Sequence, residues 1–303
     1  MDLSKIGVIG YGEVGKIFAS GLKAKSGVQS IAAWDLKFAH QASRGVELAH
    51  AAQANVQACP GMQALCEASS FIISAVTASN TLAVAQEAAQ SIQRGTVFLD
   101  LNSASPGTKQ ECAALIDAAG GQYVEAGVMA SVPPYGILVP MLLGGLPAKN
   151  LAGLLSKWDL DTKAVSDQLG VASAIKMCRS VMIKGLEALV IESYSTARAY
   201  GVEDQMVATL QETFPSIDWN AQGAYFFSRV VQHGKRRAEE MRESARTVQE
   251  AGFEPLMTGS VAAKQQWVAD QAEAGVFKDV PKEAVKQGDW QAYADALLAV
   301  RRA

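Results

Sequence analysis

A glycine-rich turn between two apolar segments, near the start of the chain, constrains the fold more than any other feature. Lys5–Gly10 reads KIGVIG, a short run rich in Ile and Val that predicts a buried parallel strand. The run continues into GYGEVG at residues 10–15 and then into a helical pattern. A second apolar segment, Ser30–Trp34, ends in Asp35. Strand, glycine turn, helix, strand and acid in this order predict a βαβ unit with a dinucleotide fingerprint.

Each glycine of this turn has a physical role in such a fingerprint. Gly10 permits the tight turn, Gly12 lets the backbone approach a pyrophosphate, and Gly15 lets helix and strand pack closely. The helix N-terminus then holds the pyrophosphate through its amides and dipole. Asp35 would accept hydrogen bonds from the ribose and repel a 2′-phosphate, which favours NAD over NADP, although Lys37 could contact a 2′-phosphate. The alternatives are another nucleotide-like ligand and a purely structural turn.

Strand and helix patterns alternate as far as about residue 166, after which the pattern is helical throughout. This alternation is typical of an α/β fold with a doubly wound, mostly parallel sheet, in which ligands lie at the carboxyl ends of the strands. We expect a dinucleotide-binding domain over residues 1–166 and an all-α domain over residues 167–303. The predicted strands after the first two are 71–76, 96–101, 122–126 and 137–143, and the predicted helices are 81–92, 107–119, 171–200, 203–214, 222–251, 260–273 and 282–302.

Composition excludes several other classes of protein. With 49% hydrophobic residues, 19% charged residues and a net charge of −3, the chain is neither disordered nor suited to binding a nucleic-acid backbone. Four scattered cysteines and three histidines indicate neither a disulfide framework nor a metal site. The N-terminus has no signal-peptide pattern, and no apolar run is long enough to cross a bilayer. We therefore expect a cytoplasmic protein with no membrane, metal or nucleic-acid partner.

Further motifs follow the fingerprint in an order that marks one enzyme superfamily. They are DLNSASP at residues 100–106, VEAGVMAS at 124–131, GILVPMLLGG at 136–145 and GVASAIK at 170–176. On these motifs the chain resembles the β-hydroxyacid dehydrogenase superfamily, which includes 3-hydroxyisobutyrate and 6-phosphogluconate dehydrogenases, over nearly its whole length. Its C-terminal part is most similar to a bacterial subgroup with a shorter helical domain and no well-established substrate. The resemblance implies a Rossmann-type domain, a long interdomain helix, and a helical domain for substrate binding and homodimer formation.

The resemblance identifies Lys176 as the general acid/base. Oxidation of an alcohol by hydride transfer requires that the hydroxyl proton be removed, and a lysine performs this near neutral pH where its surroundings lower its pKa. From its position alone, Lys176 would be interpreted as a solvated lysine on a helix. Two departures from the family bear on the substrate: Ser180 replaces an Asn one turn after the lysine, and Met129-Ala130-Ser131 replaces a Ser-Gly-Gly loop. The pocket therefore suits something other than the simplest family substrates.

The remaining candidate residues lie in loops after the predicted strands and on the predicted helices. Lys184 could raise the local positive potential, or it could be a solvated or salt-bridged residue. His233 could contact substrate, or it could be a surface or helix-packing histidine. The candidate cofactor-binding residues are Gly10, Tyr11, Gly12, Glu13, Val14, Gly15, Asp35, Val76, Thr77, Asn80 and Asn102. The candidate substrate-binding residues are Ser103, Met129, Ala130, Ser131, Ser180 and His233.

These residues lead to three functional hypotheses. The first is an NAD(P)-dependent dehydrogenase that acts on a β-hydroxyacid or a related small alcohol, with Lys176 as acid/base. The second is an imine or aldehyde reductase of the same fold, in which Lys176 would be less central. The third is a nucleotide-sensing protein that binds the cofactor without turnover.

Overall fold

The chain divides into two units within one of its two helices of 30 residues or more. The computed structural model describes residues 1–301, and its compact units separate between Cys178 and Arg179. The last strand ends at Ser166, and the long helix follows from Val171 to Tyr200. The domain boundary that the sequence places after residue 166 stays a prediction. The sequence predicted this helix with the same limits.

The first unit contains a sheet of eight strands in the order β3-β2-β1-β4-β5-β6-β7-β8. Neighbouring strands pair in parallel except β6 with β7, which pair antiparallel. The doubly wound, mostly parallel Rossmann-type sheet is therefore confirmed. The strands are β1 (Lys5–Ile9), β2 (Ser30–Trp34), β3 (Gln57–Ala58), β4 (Phe71–Ser74), β5 (Val97–Asp100), β6 (Gln122–Val128), β7 (Met141–Gly144) and β8 (Thr162–Ser166).

Helices connect these strands and cover the sheet. They are α1 (Glu13–Lys23), α2 (Gln41–Gln53), α3 (Met62–Glu67), α4 (Thr81–Ala89), α5 (Pro106–Ala118), α6 (Val132–Tyr135) and α7 (Ala148–Leu155), before α8 (Val171–Tyr200) leaves the unit. Every residue of β4 and β5 is buried, as expected for strands covered on both faces. Large apolar side chains from these strands, such as Phe71 and Phe98, fill the core.

The second unit is helical throughout its described part. After α8 it contains α9 (Glu203–Thr213), α10 (Trp219–Glu250), α11 (Leu256–Glu273), α12 (Ala284–Gln287) and α13 (Gln291–Arg301). Its core includes Tyr194 and Trp290, whose ring centroids lie 4.6 Å apart in an edge-on arrangement. Gly223 permits this contact, since a Cβ there would come within 2.7 Å of the Tyr194 ring. None of the helices in residues 1–301 combines the length and the apolarity that crossing a bilayer requires.

Most predicted limits differ from the structure by a few residues, and two predicted elements are broken by a turn. The apolar run 137–143 was predicted as one strand, but Gly136–Leu138 forms a 3-10 turn, and the strand begins at Met141. Gly136, at φ +60°, starts that turn, and Pro140 has no backbone N–H to donate to a strand ladder. The helix predicted over 282–302 is two helices, because Gly288 takes φ +70° and ends α12.

Candidate active site

The loops that contain most of the candidate residues leave one edge of the sheet. Strands β1, β4, β5 and β6 lie side by side and parallel, so their carboxyl ends share an edge. The loops after these strands contain, in turn, the fingerprint (residues 10–15), Thr77, Asn102–Ser103 and residues 129–131. The strand order reverses direction between β1 and β4, which is where doubly wound sheets bind ligands.

The fingerprint turn has the backbone geometry that its glycines predict. Gly10 takes φ +89°, and a Cβ there would collide with the carbonyl oxygen of Ala75. A Cβ at Gly15 would collide with the carbonyl oxygen of Gly10, so the first turn of α1 lies directly against β1. At Gly12, by contrast, no atom of residues 1–301 lies within 4 Å of the position that a Cβ would take, and no side chain in that range caps α1. This open space beside an uncapped helix N-terminus fits the pyrophosphate of a dinucleotide.

Asp35 joins the end of β2 to the fingerprint turn. One carboxylate oxygen accepts the N–H of Tyr11 at 2.7 Å, and the other accepts the N–H of Lys37 at 2.8 Å. Each oxygen keeps lone-pair capacity for a ribose hydroxyl. The Nζ of Lys37 lies 4.0 Å from the Oε1 of Glu47. This lysine, which could contact a 2′-phosphate, is therefore paired with a carboxylate of the protein.

Tyr11 points into the protein. Its ring is fully buried, and its hydroxyl is 3.1 Å from the Nδ1 of His50 on α2. Burial, with a smaller contribution from Glu47, raises the pKa of Tyr11. The side chain therefore supports the turn from within the protein. Glu13 is exposed and Val14 half-buried in the first turn of α1.

Asn102 is a buried connection between the ends of β4 and β5. Its Oδ1 accepts the N–H of Val76 at 2.7 Å, and its Nδ2 donates to the Oγ of Ser74 at 3.0 Å. Both ends of the amide are thus used within the protein, so Asn102 holds the loop that presents Ser103. Beyond β4, Thr77 and Asn80 are exposed, and the Nδ2 of Asn80 donates to the Oγ1 of Thr77 at 2.8 Å.

A buried polar group that the sequence analysis missed supports this loop from below. Asp100 Oδ1 accepts the N–H of Asn102 at 2.8 Å and pairs with the Nζ of Lys109 at 3.0 Å. Asp100 Oδ2 accepts the hydroxyl proton of Tyr123 at 2.6 Å. Burial and the neighbouring Asp100 carboxylate raise the pKa of Tyr123 well above its usual value, so the phenol remains a neutral donor. No local motif identifies Lys109 and Tyr123, because their contacts join separate elements.

Lys176 and Ser103 meet at this edge of the sheet. The Nζ of Lys176 donates a hydrogen bond to the Oγ of Ser103 at 2.7 Å, and both side chains are half-buried. The structure therefore brings the predicted acid/base next to a hydroxyl that was predicted to contact substrate. Glu125, which the sequence analysis also missed, lies buried at the start of the helix that contains Lys176. A sequence signal for it exists in VEAGV, where an acid occupies a position in an otherwise apolar strand.

Residues 129–131 follow β6 at the same edge. The N–H of Met129 donates to the carbonyl of Pro140 at 2.9 Å, which fixes the start of the loop. Met129 and Ala130 are half-buried and Ser131 is exposed. The loop therefore presents an apolar side chain and a hydroxyl, as its sequence predicts.

The other two substrate candidates belong to the second unit. Ser180 is buried, and its Oγ accepts from the Nζ of Lys184 at 3.2 Å. Lys184 also pairs with Glu240 on α10 at 2.8 Å, which supports the salt-bridged interpretation of this lysine. His233 is half-buried on α10.

A second ion pair lies buried in the same unit. Arg237 on α10 donates to both carboxylate oxygens of Glu187 on α8. Burial raises the pKa of Glu187, and the positive charge of Arg237 only partly offsets this effect. The charged residues here therefore hold helices together.

Two family models match this chain, one in its N-terminal part and one in its C-terminal part. Residues 5–133 match the family described as the NAD binding domain of 6-phosphogluconate dehydrogenase, and residues 197–268 match a domain of unknown function, DUF1932. A conserved hypothetical protein from Sinorhizobium meliloti is 35% identical, with 97% of each chain covered and a TM-score of 0.74. The chain belongs to the β-hydroxyacid dehydrogenase superfamily.

Other solved structures agree with this assignment. A conserved protein of unknown function, noted for structural similarity with 3-hydroxyacid dehydrogenases, is 27% identical over 89% of this chain and 98% of its own, with a TM-score of 0.67. The 3-hydroxyisobutyrate dehydrogenase of Mycobacterium tuberculosis has the same fold at 15% identity. The match covers 89% of this chain and 95% of the dehydrogenase, with a TM-score of 0.67. An imine reductase from Myxococcus stipitatus, in complex with NADP+, also has this fold at 19% identity. That match covers 89% of this chain and 95% of the reductase, with a TM-score of 0.52.

Proposed function

We propose that this protein is an NAD(P)-dependent oxidoreductase that transfers hydride between a nicotinamide cofactor and the alcohol carbon of a β-hydroxyacid or a related small alcohol. The observation that supports this most directly is the hydrogen bond of 2.7 Å between Lys176 and Ser103 at the carboxyl edge of the sheet. A lysine amine beside a hydroxyl, on a sheet with a dinucleotide fingerprint, combines proton transfer with substrate binding. Membership of the superfamily supports the same reaction class.

The proposed roles of the two side chains follow from their geometry. When bound, the nicotinamide supplies the two-electron acceptor for the hydride that leaves the substrate carbon. Lys176, as the neutral amine, takes the hydroxyl proton of the substrate and becomes an ammonium, and it returns that proton in the reverse direction. Ser103 accepts a hydrogen bond from Lys176 and has its own O–H to donate to the substrate oxygen. The pair therefore orients the alcohol and receives its proton at one place.

The cofactor proposed is NAD in preference to NADP. Asp35 at the end of β2 keeps acceptor capacity for the ribose hydroxyls, and its negative charge opposes a 2′-phosphate. Lys37, the residue nearest in sequence that could bind such a phosphate, has Glu47 as a carboxylate neighbour at 4.0 Å.

Substrate contacts are proposed for the hydroxyls and the apolar side chain that the sequence singles out. Ser103 and Ser131 supply hydroxyls at the sheet edge, and Met129 supplies an apolar wall in the loop after β6. The substrate contacts that the sequence predicts at Ser180 and His233 stay predictions. This set fits a small substrate that combines an alcohol, a polar group and an apolar substituent.

The test is a substrate panel assayed with the wild-type protein and with Lys176→Ala. We expect turnover of at least one hydroxyacid, and a fall in kcat/KM of about 10²- to 10⁴-fold in the variant, the usual contribution of a general acid/base. Lys149→Ala, which removes an exposed lysine of the same unit, is the matched control and should keep wild-type activity. Activity of Lys176→Ala within about tenfold of wild type would contradict the assignment.

The same panel separates the other hypotheses. Turnover of imines or aldehydes alone, unaffected by Lys176→Ala, would favour a reductase. Tight cofactor binding, measured by the fluorescence of the reduced nicotinamide, without turnover of any substrate would favour a nucleotide-sensing protein.

A homodimer formed through the helical unit is part of the proposal. The apolar side chains that are exposed on α8 include Met182 by 64%, Leu186 by 38% and Leu189 by 53%. Their spacing of four and three residues places them on one helical face. A second copy of the chain would bury this stripe.

A further inference from the structure

We propose that Glu125 is a positioning residue for Lys176, one that holds the first turn of α8 and so sets where the lysine amine meets Ser103. Glu125 lies on β6 and acts through the helix backbone. The inference rests on the proposed function, in which Lys176 transfers the substrate proton.

The Glu125 carboxylate binds the N-terminal amides of α8. Its Oε1 accepts the N–H of Gly170 at 2.8 Å and the N–H of Ala172 at 3.1 Å, and its Oε2 accepts the N–H of Ser173 at 3.3 Å. Glu125 itself is 0% exposed. A buried carboxylate requires strong compensation, and three amides at the positive end of a helix provide it. The contact therefore fixes both the axial position and the rotation of the first turn of α8.

The neighbouring strand leaves room for this carboxylate. Glu125 on β6 lies opposite Gly144 on β7, and a Cβ at Gly144 would collide with the Glu125 side chain. Any larger residue at that position would push the carboxylate out of its place against the helix. The glycine at position 144 therefore leaves the space that the Glu125 side chain occupies.

Gly127, two residues further along β6, is the second contact between this strand and α8. Side chains two apart on a strand share a face, so Gly127 faces the helix as Glu125 does. A Cβ at Gly127 would lie 2.9 Å from the carbonyl oxygen of Ala172 and 3.5 Å from the Cβ of Lys176. The glycine thus permits a close approach at the turn that contains Lys176, while Glu125 holds the turn before it.

These two contacts determine the position of the lysine amine. Lys176 lies three residues after Ser173, about 4.5 Å along the helix axis at 1.5 Å per residue. From there its Nζ reaches the Oγ of Ser103 at 2.7 Å. A misplacement of about 1 Å at a reacting group costs on the order of 10²-fold in rate. The position of the first turn of α8 therefore affects the rate of the reaction.

The first measurement uses the reactivity of Lys176 and needs no substrate. The full-length wild type and Glu125→Gln are treated with a lysine-selective acylating reagent, and the labelling of each lysine is followed by peptide mass spectrometry. In Glu125→Gln, an NH₂ group faces one or more helix N–H donors, so the helix turn loosens. We expect Lys176 to react several-fold faster, while the exposed Lys149 keeps its rate. Glu111→Gln, which alters an exposed acid on α5, is the matched control and should leave both rates unchanged.

The second measurement is turnover of whichever substrate the panel identifies. We expect Glu125→Gln to lower kcat by about 10²-fold and to leave the cofactor Kd unchanged, because the fingerprint lies on other elements. Glu125→Asp, which keeps the charge on a shorter side chain, should recover part of the lost kcat. Unchanged Lys176 labelling and kcat in a folded Glu125→Gln protein would overturn the proposal.

Two further results keep this inference separate from the proposed function. If Glu125→Gln does not fold, Gly127→Ala retains the carboxylate and displaces Ala172, whose amide Glu125 binds. Unchanged labelling of Lys176 in that variant would overturn the proposal. If no substrate is turned over, faster labelling of Lys176 in Glu125→Gln still supports the positioning role, although the oxidoreductase assignment fails.

Discussion

The ammonium of Lys109 and the carboxylate of Asp100 form an ion pair with Nζ and Oδ1 3.0 Å apart, and both side chains are almost completely buried. The Nζ of Lys109 also donates to the carbonyl of Asp100 at 3.1 Å. Asp100 in turn accepts the N–H of Asn102, so the ion pair supports the loop that presents Ser103. A buried ammonium and a buried carboxylate thus hold the backbone of the loop that contains Ser103.

Replacing Lys109 by Met should strongly destabilise the first unit. The substitution keeps most of the side-chain volume but leaves the Asp100 carboxylate buried without its cation, which costs about 3–5 kcal/mol in the free energy of unfolding. Denaturant unfolding of the full-length chain measures this loss. Lys149→Met, at an exposed position, is the control and should change the free energy by less than about 0.5 kcal/mol. A loss below about 1 kcal/mol for Lys109→Met would show that the buried charge is compensated in another way.

Tyr123 should make the protein less stable at alkaline pH. Its pKa is raised above the usual 10.0 by burial and by Asp100, so the folded state keeps a proton that the unfolded state releases. Its contribution to stability is therefore fully present below about pH 10 and is lost as the pH rises toward the folded pKa. Stability should fall above about pH 10 in the wild type.

Tyr123→Phe isolates that contribution. Near pH 8 the variant should be less stable by about 1–3 kcal/mol, because Asp100 loses a buried hydrogen bond. Above about pH 10 its stability should fall less steeply than that of the wild type. Tyr135→Phe, which alters a ring that is 52% exposed, should match the wild type throughout. Equal alkaline slopes for the wild type and Tyr123→Phe would contradict the assignment.

Asp35→Asn should shift the cofactor preference toward NADP. The substitution removes the negative charge that opposes a 2′-phosphate, so the ratio of the Kd for NADPH to the Kd for NADH should fall about tenfold or more. Fluorescence titration with each reduced cofactor gives both constants. Asp167→Asn, an exposed site distant in sequence from the fingerprint, should leave the ratio unchanged. An unaltered ratio in Asp35→Asn would show that Asp35 serves the turn alone, through its bonds to Tyr11 and Lys37.

The sequence predicted those features that depend on neighbours along the chain. The strand, glycine turn and helix over residues 5–23 follow from local steric rules, and α8 follows from a long helical pattern without proline. Lys176 was found through the order of motifs. Its hydrogen bond to Ser103 was not, because that contact joins residues 73 positions apart.

The features that the sequence did not predict depend on distant segments. The role of Glu125 becomes visible only when β6 meets residues 170–173, 45 to 48 positions later. An acid in an apolar strand is unusual enough to be noticed, but nothing local identifies the amides that compensate for it. The break at Gly288 was missed for a related reason: a glycine within a helical pattern is often tolerated, and only its φ of +70° shows that the helix ends there.

The apolar stripe on α8 leads to the last prediction, that the protein is a homodimer and that Leu189→Lys weakens it. Burying a leucine side chain contributes about 1.5–3 kcal/mol, and a lysine at a two-fold interface also places like charges close together. The dimer Kd should therefore rise by more than about tenfold. Light scattering coupled to size-exclusion chromatography, over a range of concentrations, measures this shift. Leu146→Lys, at a leucine that is 84% exposed in the other unit, is the matched control and should remain dimeric. A monomeric wild type, or a Leu189→Lys protein as dimeric as the wild type, would show that this face of α8 does not form the interface.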